Sequence, residues 1–326
     1  MSSLNLEQIK APIRLEMGDF EVKFRKAMQS SVPLLDRIMH YIVKRKGKQM
    51  RPMFVFLSAG MNGGITESSF RAASLIELLH TATLVHDDVV DDSNLRRGFF
   101  SINALWKNKI AVLAGDYLLS RGLILAVENG EFELLRIVSR AVRSMSEGEL
   151  LQIEKARRLD ITEAVYYEII TAKTASLIAS CCATGASSAG APDEQVKLMH
   201  AFGTAVGIAF QIKDDLLDYE KTGVTGKPAY IDIREHKMTL PLIHALRQCG
   251  RGDKQFIINT VRNHSEDRQR VERVVRMVID SGGVEYARRE MQRFQQQAFD
   301  LLSGFFSSAY KESLIGLVRF TTERGH

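Results

Sequence analysis

The chain has little proline, six residues in 326, and less cysteine, only three. Sparse proline, few stretches of apolar/polar alternation and many apolar recurrences at three and four residues exclude a βαβ pattern and read as an almost wholly helical chain. Cys181, Cys182 and Cys249 form no Cys-x-x-Cys pair, and an odd count with two adjacent members makes a poor disulfide or zinc framework. A reducing, cytoplasmic setting is therefore expected. The segment Met1 to Glu7 lacks the basic stretch and apolar run of a secretory signal. No membrane span is read either. The most apolar long window, Ile110 to Val127, is interrupted by Asp116 and Arg121 and is expected to be a buried helix. The basic segments lack interleaved aromatics, which argues against nucleic acid, and no catalytic triad is visible.

What is present is a composition of 45% hydrophobic and 25% charged residues, enough for a substantial core and one large domain over residues 1–326. The net charge of +5 is spread along the chain, so charge alone leaves phosphate groups and nucleic acid equally open as partners. Breaks fall at Asn62-Gly63-Gly64, Gly185 to Pro192, Thr222 to Pro228, Gly250-Arg251-Gly252 and Ser281-Gly282-Gly283. All are short enough to be helix connections. Typical helix lengths then give roughly ten or more helices.

Two acidic clusters share one pattern, Asp87-Asp88-Val89-Val90-Asp91 and Asp214-Asp215-Leu216-Leu217-Asp218. In a helix the first and last acids of each lie on one face, about 6 Å apart along the axis. Apolar runs precede both, Leu75 to Val85 and Ala205 to Ile212, so each cluster is expected at the end of a buried helix. Closely packed carboxylates repel and need a counter-charge. Mg²⁺ suits them, because a hard cation takes one or two carboxylates and fills its remaining positions with water and phosphate oxygens. The competing reading of one such cluster is a solvated acidic face. Two identical clusters behind apolar helices weaken that reading.

Cations accompany the acids. The segment Lys44-Arg45-Lys46-Gly47-Lys48-Gln49-Met50-Arg51-Pro52 could by itself be plain surface or a nucleic-acid patch. Arg96-Arg97-Gly98 follows the first acidic cluster closely, where metal on one side and arginine on the other could clamp an anion. Lys173, Thr174, Gln211, Lys227 and Lys237 add donors around the second cluster. Together they leave room for two diphosphates.

These pieces, with His80, His86, Gly115-Asp116, Phe210, Gly226-Lys227-Pro228 and Lys237-x-x-Leu240-Pro241, resemble the all-trans polyprenyl diphosphate synthases of the long-chain octaprenyl/heptaprenyl type. The likeness runs from about Gly47 to Pro241. It implies an all-α fold, a single-domain isoprenoid-synthase-type helical bundle around a central substrate cavity. It also implies that Asp87, Asp91 and Asp214 hold Mg²⁺ bridged to an allylic diphosphate, supported by Asp88, Asp215 and Asp218. Arg96, Lys173, Thr174, Gln211 and Lys227 would contact that diphosphate, and Lys48, Arg51, His80 and Arg97 would hold isopentenyl diphosphate. A homodimer is a family expectation, as is a product handed to a membrane. The chain departs from the family at Phe99-Phe100, where smaller residues or proline are common, and near Tyr230, where glycine is usual.

The implied reaction is a prenyl transfer from an allylic diphosphate such as farnesyl diphosphate to isopentenyl diphosphate. Ionisation leaves pyrophosphate and an allylic cation, so charge must be stabilised and water excluded. Side chains lean toward the helix N-terminus, so Thr83, Ala82 and Leu79 are expected beneath the first cluster. Small residues there imply an open tunnel and a product of roughly seven to ten isoprene units, with a floor near Ile124 or Leu125. A shorter-chain synthase, a class I terpene cyclase and a non-catalytic subunit are the alternatives. Lys48, Arg51 and Arg97 count against the cyclase, and two intact acidic clusters against the subunit.

Overall fold

The structure is a computed structural model that describes residues 5–44, 47–96, 99–159, 161–219 and 230–323, with the side chains of residues 96, 157 and 158 left aside. Arg97 and Lys227, both expected to bind substrate, lie outside the described residues. Sixteen α-helices occur among the described residues. The N-terminal set is α1 (Leu6–Lys10), α2 (Arg14–Ala27), α3 (Pro33–Lys44), α4 (Met50–Met61) and α5 (Glu67–Val90). A hairpin of β1 (Leu95–Arg96) and β2 (Phe99–Phe100) follows, antiparallel with Arg96 opposite Phe99. Next come α6 (Ile102–Glu128), α7 (Phe132–Arg158), α8 (Glu163–Ile170), a π-helical turn over Thr171–Ala175, α9 (Ser176–Ser188) and α10 (Asp193–Leu217). The C-terminal set is α11 (Ile231–Arg234), α12 (Leu240–Gln248), α13 (Arg251–Asn263), α14 (Arg268–Asp280), α15 (Gly283–Leu301) and α16 (Ala309–Thr322).

Local chemistry sets these boundaries. Thr66 and Ser69 form a reciprocal capping box at the start of α5, and Ser101 and Thr162 accept from backbone N–H groups three residues on to start α6 and α8. Proline in the first turn of α12 needs no N–H partner there, which is why Leu240-Pro241 opens a helix. Four of the glycine-marked breaks match helix ends, although Gly185 lies inside α9 and the chain turns only after Ser188. The fifth, Thr222 to Pro228, lies outside the described residues.

The centre is built by α4, α5, α9 and α10, with α5 packed on α6 and α10 on α9 and α15. Glycine permits the closest of these approaches. A Cβ on Gly203 would stand 2.6 Å from the Ala179 Cα, and one on Gly207 would stand 2.4 Å from the Ala175 Cα. Phe54, Phe56 and Phe202 are almost wholly buried, and each such side chain contributes about 1.5–3 kcal/mol by burial.

One expectation fails. The apolar window of α6 is only 33% buried within the chain, with Leu113, Leu123, Ile124 and Val127 exposed. Its hydropathy and length, like those of Glu163–Ser188, are sufficient to cross a membrane, because two charges dilute an apolar run too little to bring it below that level. The Glu163–Ser188 window is 67% buried, as a core helix is.

Candidate active site

Both acidic clusters stand at helix C-termini. Asp87 and Asp88 lie in the last turn of α5, and Asp91 is its C-cap. Asp214 and Asp215 lie in the last turn of α10, which Asp218 caps. A helix C-terminus carries partial negative charge from its unpaired carbonyls, so acids there meet repulsion from the backbone as well as from each other. That is a poor arrangement for stability and a good one for binding a cation.

Within each cluster the acids differ in burial. Asp87, Asp91 and Asp214 are exposed, whereas Asp88 and Asp215 are buried. The hydroxyl of Tyr166 donates to Asp215 Oδ2 at 2.7 Å and Gln211 Nε2 donates to Oδ1 at 2.9 Å. Asp218 accepts the backbone N–H groups of Ile231 at 2.9 Å and Asp232 at 3.1 Å, which fixes the start of α11 beside the second cluster. Burial pushes the Asp215 carboxyl up to about 7, and Asp232 and Asp214 nearby add to the effect against the two hydrogen bonds. Asp232 is pushed up to about 6 by burial first and then by Asp218. Hard oxygen donors crowded at two helix ends, some too costly to keep ionised unaided, fit Mg²⁺. Among the described residues no three acids, histidines or cysteines gather into a complete metal cage.

Two cavities adjoin these helices. The larger, about 670 Å³, is lined by Lys48, Arg51 and His80, by Asp88, and by apolar walls that include Leu84, Phe100 and Ile178. The smaller, about 220 Å³, takes Gln211, Asp214, Asp215, Asp232 and Lys237. Lys173 and Thr174 line both. They ride on the π turn, and Gly148 of α7 is what lets that turn sit so low: a Cβ there would stand 2.8 Å from the Ala172 Cβ and 3.0 Å from the Lys173 nitrogen. A π turn rotates the following side chains out of α-helical register and recurs at functional sites.

Several cations lie against acids of the same chain. Lys173 pairs with Glu149 and approaches Gln152 Oε1 at 3.3 Å. Arg51 reaches Glu77 at 3.4 Å, and Lys237 reaches Glu235 at 2.6 Å and Asp232 at 3.8 Å. Lys48 lies 5.9 Å from the centre of the Phe320 ring, and His80 is buried. Arg96 pairs through its backbone in β1.

Ala82 is fully buried, and the Thr83 hydroxyl donates back to the His80 carbonyl at 2.8 Å. Among the described residues the larger cavity follows the neighbouring stripe of α5, through Glu77, His80, Thr81, Leu84 and Asp88, and not through Ala82 or Thr83. Leu125 packs against the core while Ile124 faces outward. Gly115 has a plain steric role, since a Cβ there would stand 2.2 Å from His86 Nε2. Sequence reading missed Glu149, Gln152, Tyr166 and Asp232. None has a spacing signal, because only the tertiary fold brings Gln152, Tyr166 and Asp232 to the smaller cavity and Glu149 against Lys173.

The sequence pattern described as "Polyprenyl synthetase" matches residues 32–278. The chain is 34% identical to the octaprenyl diphosphate synthase of Escherichia coli (strain K12), over 98% of this chain and 99% of that one. A decaprenyl diphosphate synthase from Rhodobacter capsulatus has a similar structure, with a TM-score of 0.92 and 31% identity over 98% of this chain and 99% of that one. So does a polyprenyl synthase from Caulobacter crescentus CB15 complexed with calcium and isoprenyl diphosphate, with a TM-score of 0.90 and 32% identity over 99% of each chain.

Proposed function

Since this chain belongs to the polyprenyl synthetase family, we propose that it condenses isopentenyl diphosphate with an allylic diphosphate, such as farnesyl diphosphate, into a long all-trans polyprenyl diphosphate. The observation that carries this reading is the pair of cavities meeting at Lys173 and Thr174, one walled by Lys48, Arg51 and His80 and the other by the second acidic cluster. Two anionic substrates, side by side, need two such compartments.

In this reading Asp87, Asp91 and Asp214 hold Mg²⁺, which supplies Lewis-acid stabilisation of the departing diphosphate. Lys173, Thr174 and Gln211 orient that diphosphate in the smaller cavity, and the sequence resemblance adds Arg96 and Lys227 as further diphosphate ligands. Lys48, Arg51 and His80 hold isopentenyl diphosphate in the larger one, and the sequence resemblance adds Arg97 as a further ligand. The apolar walls exclude water from the allylic cation. The proton lost after carbon–carbon bond formation goes to the released pyrophosphate, so no side chain has to act as base. The relatives that make octaprenyl and decaprenyl diphosphates support a long product. Three free cysteines support a cytoplasmic setting, and the exposed apolar face of α6 supports a homodimer.

Incubation with Mg²⁺, farnesyl diphosphate and labelled isopentenyl diphosphate tests the activity. Label is expected in the butanol-extractable fraction, and none across several allylic primers would overturn the assignment. Mass spectrometry of the extract tests the tail path. Thr81→Phe, on the stripe of α5 that lines the larger cavity, is expected to shorten the product, and an unchanged length would remove that cavity from the tail path.

A further inference from the structure

A hydrogen-bond chain runs behind the second acidic cluster and joins three separate elements. The Thr174 hydroxyl, on the π turn, donates to Gln211 Oε1 at 2.8 Å. Gln211, on α10, donates through Nε2 to Asp215 Oδ1 at 2.9 Å, and the Tyr166 hydroxyl, on α8, donates to Asp215 Oδ2 at 2.7 Å. Both carboxylate oxygens of Asp215 are therefore engaged by neutral donors, in a residue only 6% exposed. Asp214, one position earlier, is exposed and lines the smaller cavity. Adjacent helical residues point about 100° apart, so fixing Asp215 inward fixes the direction in which Asp214 projects.

We propose that Tyr166 is a positioning residue for the metal-diphosphate site, holding Asp215 and with it the last turn of α10 so that Asp214 faces the cation. This rests on the functional reading above. A phenol serves this purpose better than a charged donor. It occupies the buried oxygen without bringing a positive charge that would compete with the cation for the cluster. The chain also ties Asp215 to Thr174, so the carboxylate that meets the metal and the turn that meets the diphosphate keep one relative placement. Tyr167 provides an internal comparison: its hydroxyl donates at 2.9 Å to Glu290 on α15, and its ring packs edge-on to Tyr166. It supports α8 without touching Asp215.

The test is a titration of Mn²⁺ in the presence of inorganic pyrophosphate, followed by the paramagnetic resonance of free Mn²⁺, on the full chain and on Y166F and Y167F. Loss of a partner hydrogen-bonded directly to a metal ligand weakens metal binding by about 10- to 100-fold, and Tyr166 acts one residue further back, through Asp215, so Y166F is expected to raise the Mn²⁺ dissociation constant about tenfold, the low end of that range. Steady-state kinetics should show the loss in kcat and in the allylic KM, with the KM for isopentenyl diphosphate unchanged. Y167F should bind Mn²⁺ as the parent does. A Y166F dissociation constant within about twofold of the parent, far below that range, would sink the proposal. So would equal losses in Y166F and Y167F, which would trace the effect to the packing of α8. If circular dichroism shows Y166F unfolded, D215N alters the same hydrogen bond from the acceptor side, and undiminished Mn²⁺ binding there would also overturn it. A parent chain that binds no Mn²⁺ with pyrophosphate would instead overturn the functional reading beneath it.

Discussion

At the scale of single residues, the second acidic cluster divides its work among its members. Asp214 is left in the open, Asp215 is buried under two donors, and Asp218 caps α11. The identical letters of the motif conceal this, because burial depends on what α8 and α11 bring alongside. The division has a consequence for pH. Asp215 and Asp232, at about 7 and about 6, both sit above the ~3.9 of an unfolded aspartate. The folded protein binds more protons than the unfolded chain between these values. The stability from this source is therefore complete below about pH 4 and lost as pH rises through about 6 to 7. Urea midpoints of the metal-free chain are expected to fall between about pH 5 and pH 8. D215N should show a shallower fall than the parent, and an equal fall would remove Asp215 as a source.

At the scale of elements, the site depends on a π turn held between α7 and α10. Gly148→Ala places a methyl against the Ala172 Cβ and the Lys173 nitrogen. Overpacking of this kind costs about 1–3 kcal/mol, and a displacement of about 1 Å at a reacting group can lower kcat about 100-fold. Thermal melts and steady-state rates on G148A should show both, and parent-like rates would mean that the turn tolerates displacement. The helix ends bearing the acids were legible from the sequence, because an apolar run followed by Asp-Asp-x-x-Asp marks a buried helix reaching a polar edge. The π turn was not, since Thr171 to Ala175 has ordinary helical composition and its register shift arises from contact with α7. Nor was the stripe of α5 that faces the larger cavity: counting back from Asp87 identifies Ala82 and Thr83, while the cavity follows Glu77, His80, Thr81 and Leu84.

At the scale of the whole molecule, α6 is the element whose surroundings least match its composition. Composition alone makes it a core helix, yet Leu113, Leu123, Ile124 and Val127 remain exposed in a single chain. Contiguous apolar exposure of this kind marks an interaction surface, and a second copy is the partner proposed above. Sedimentation is expected to give a dimer, and Leu123→Glu with Val127→Glu is expected to give a folded monomer. A parent chain that sediments as a monomer at micromolar concentration would exclude that role for α6.

The carboxylates that hold Lys173, Arg51 and Lys237 bear on which molecules are admitted. A tethered acid competes with any incoming anion at an effective concentration in the millimolar range or above. In the proposed reaction a diphosphate arriving with its cation would take the place of these acids, so the side chains that hold the cations in position beforehand take no part in the bond being made.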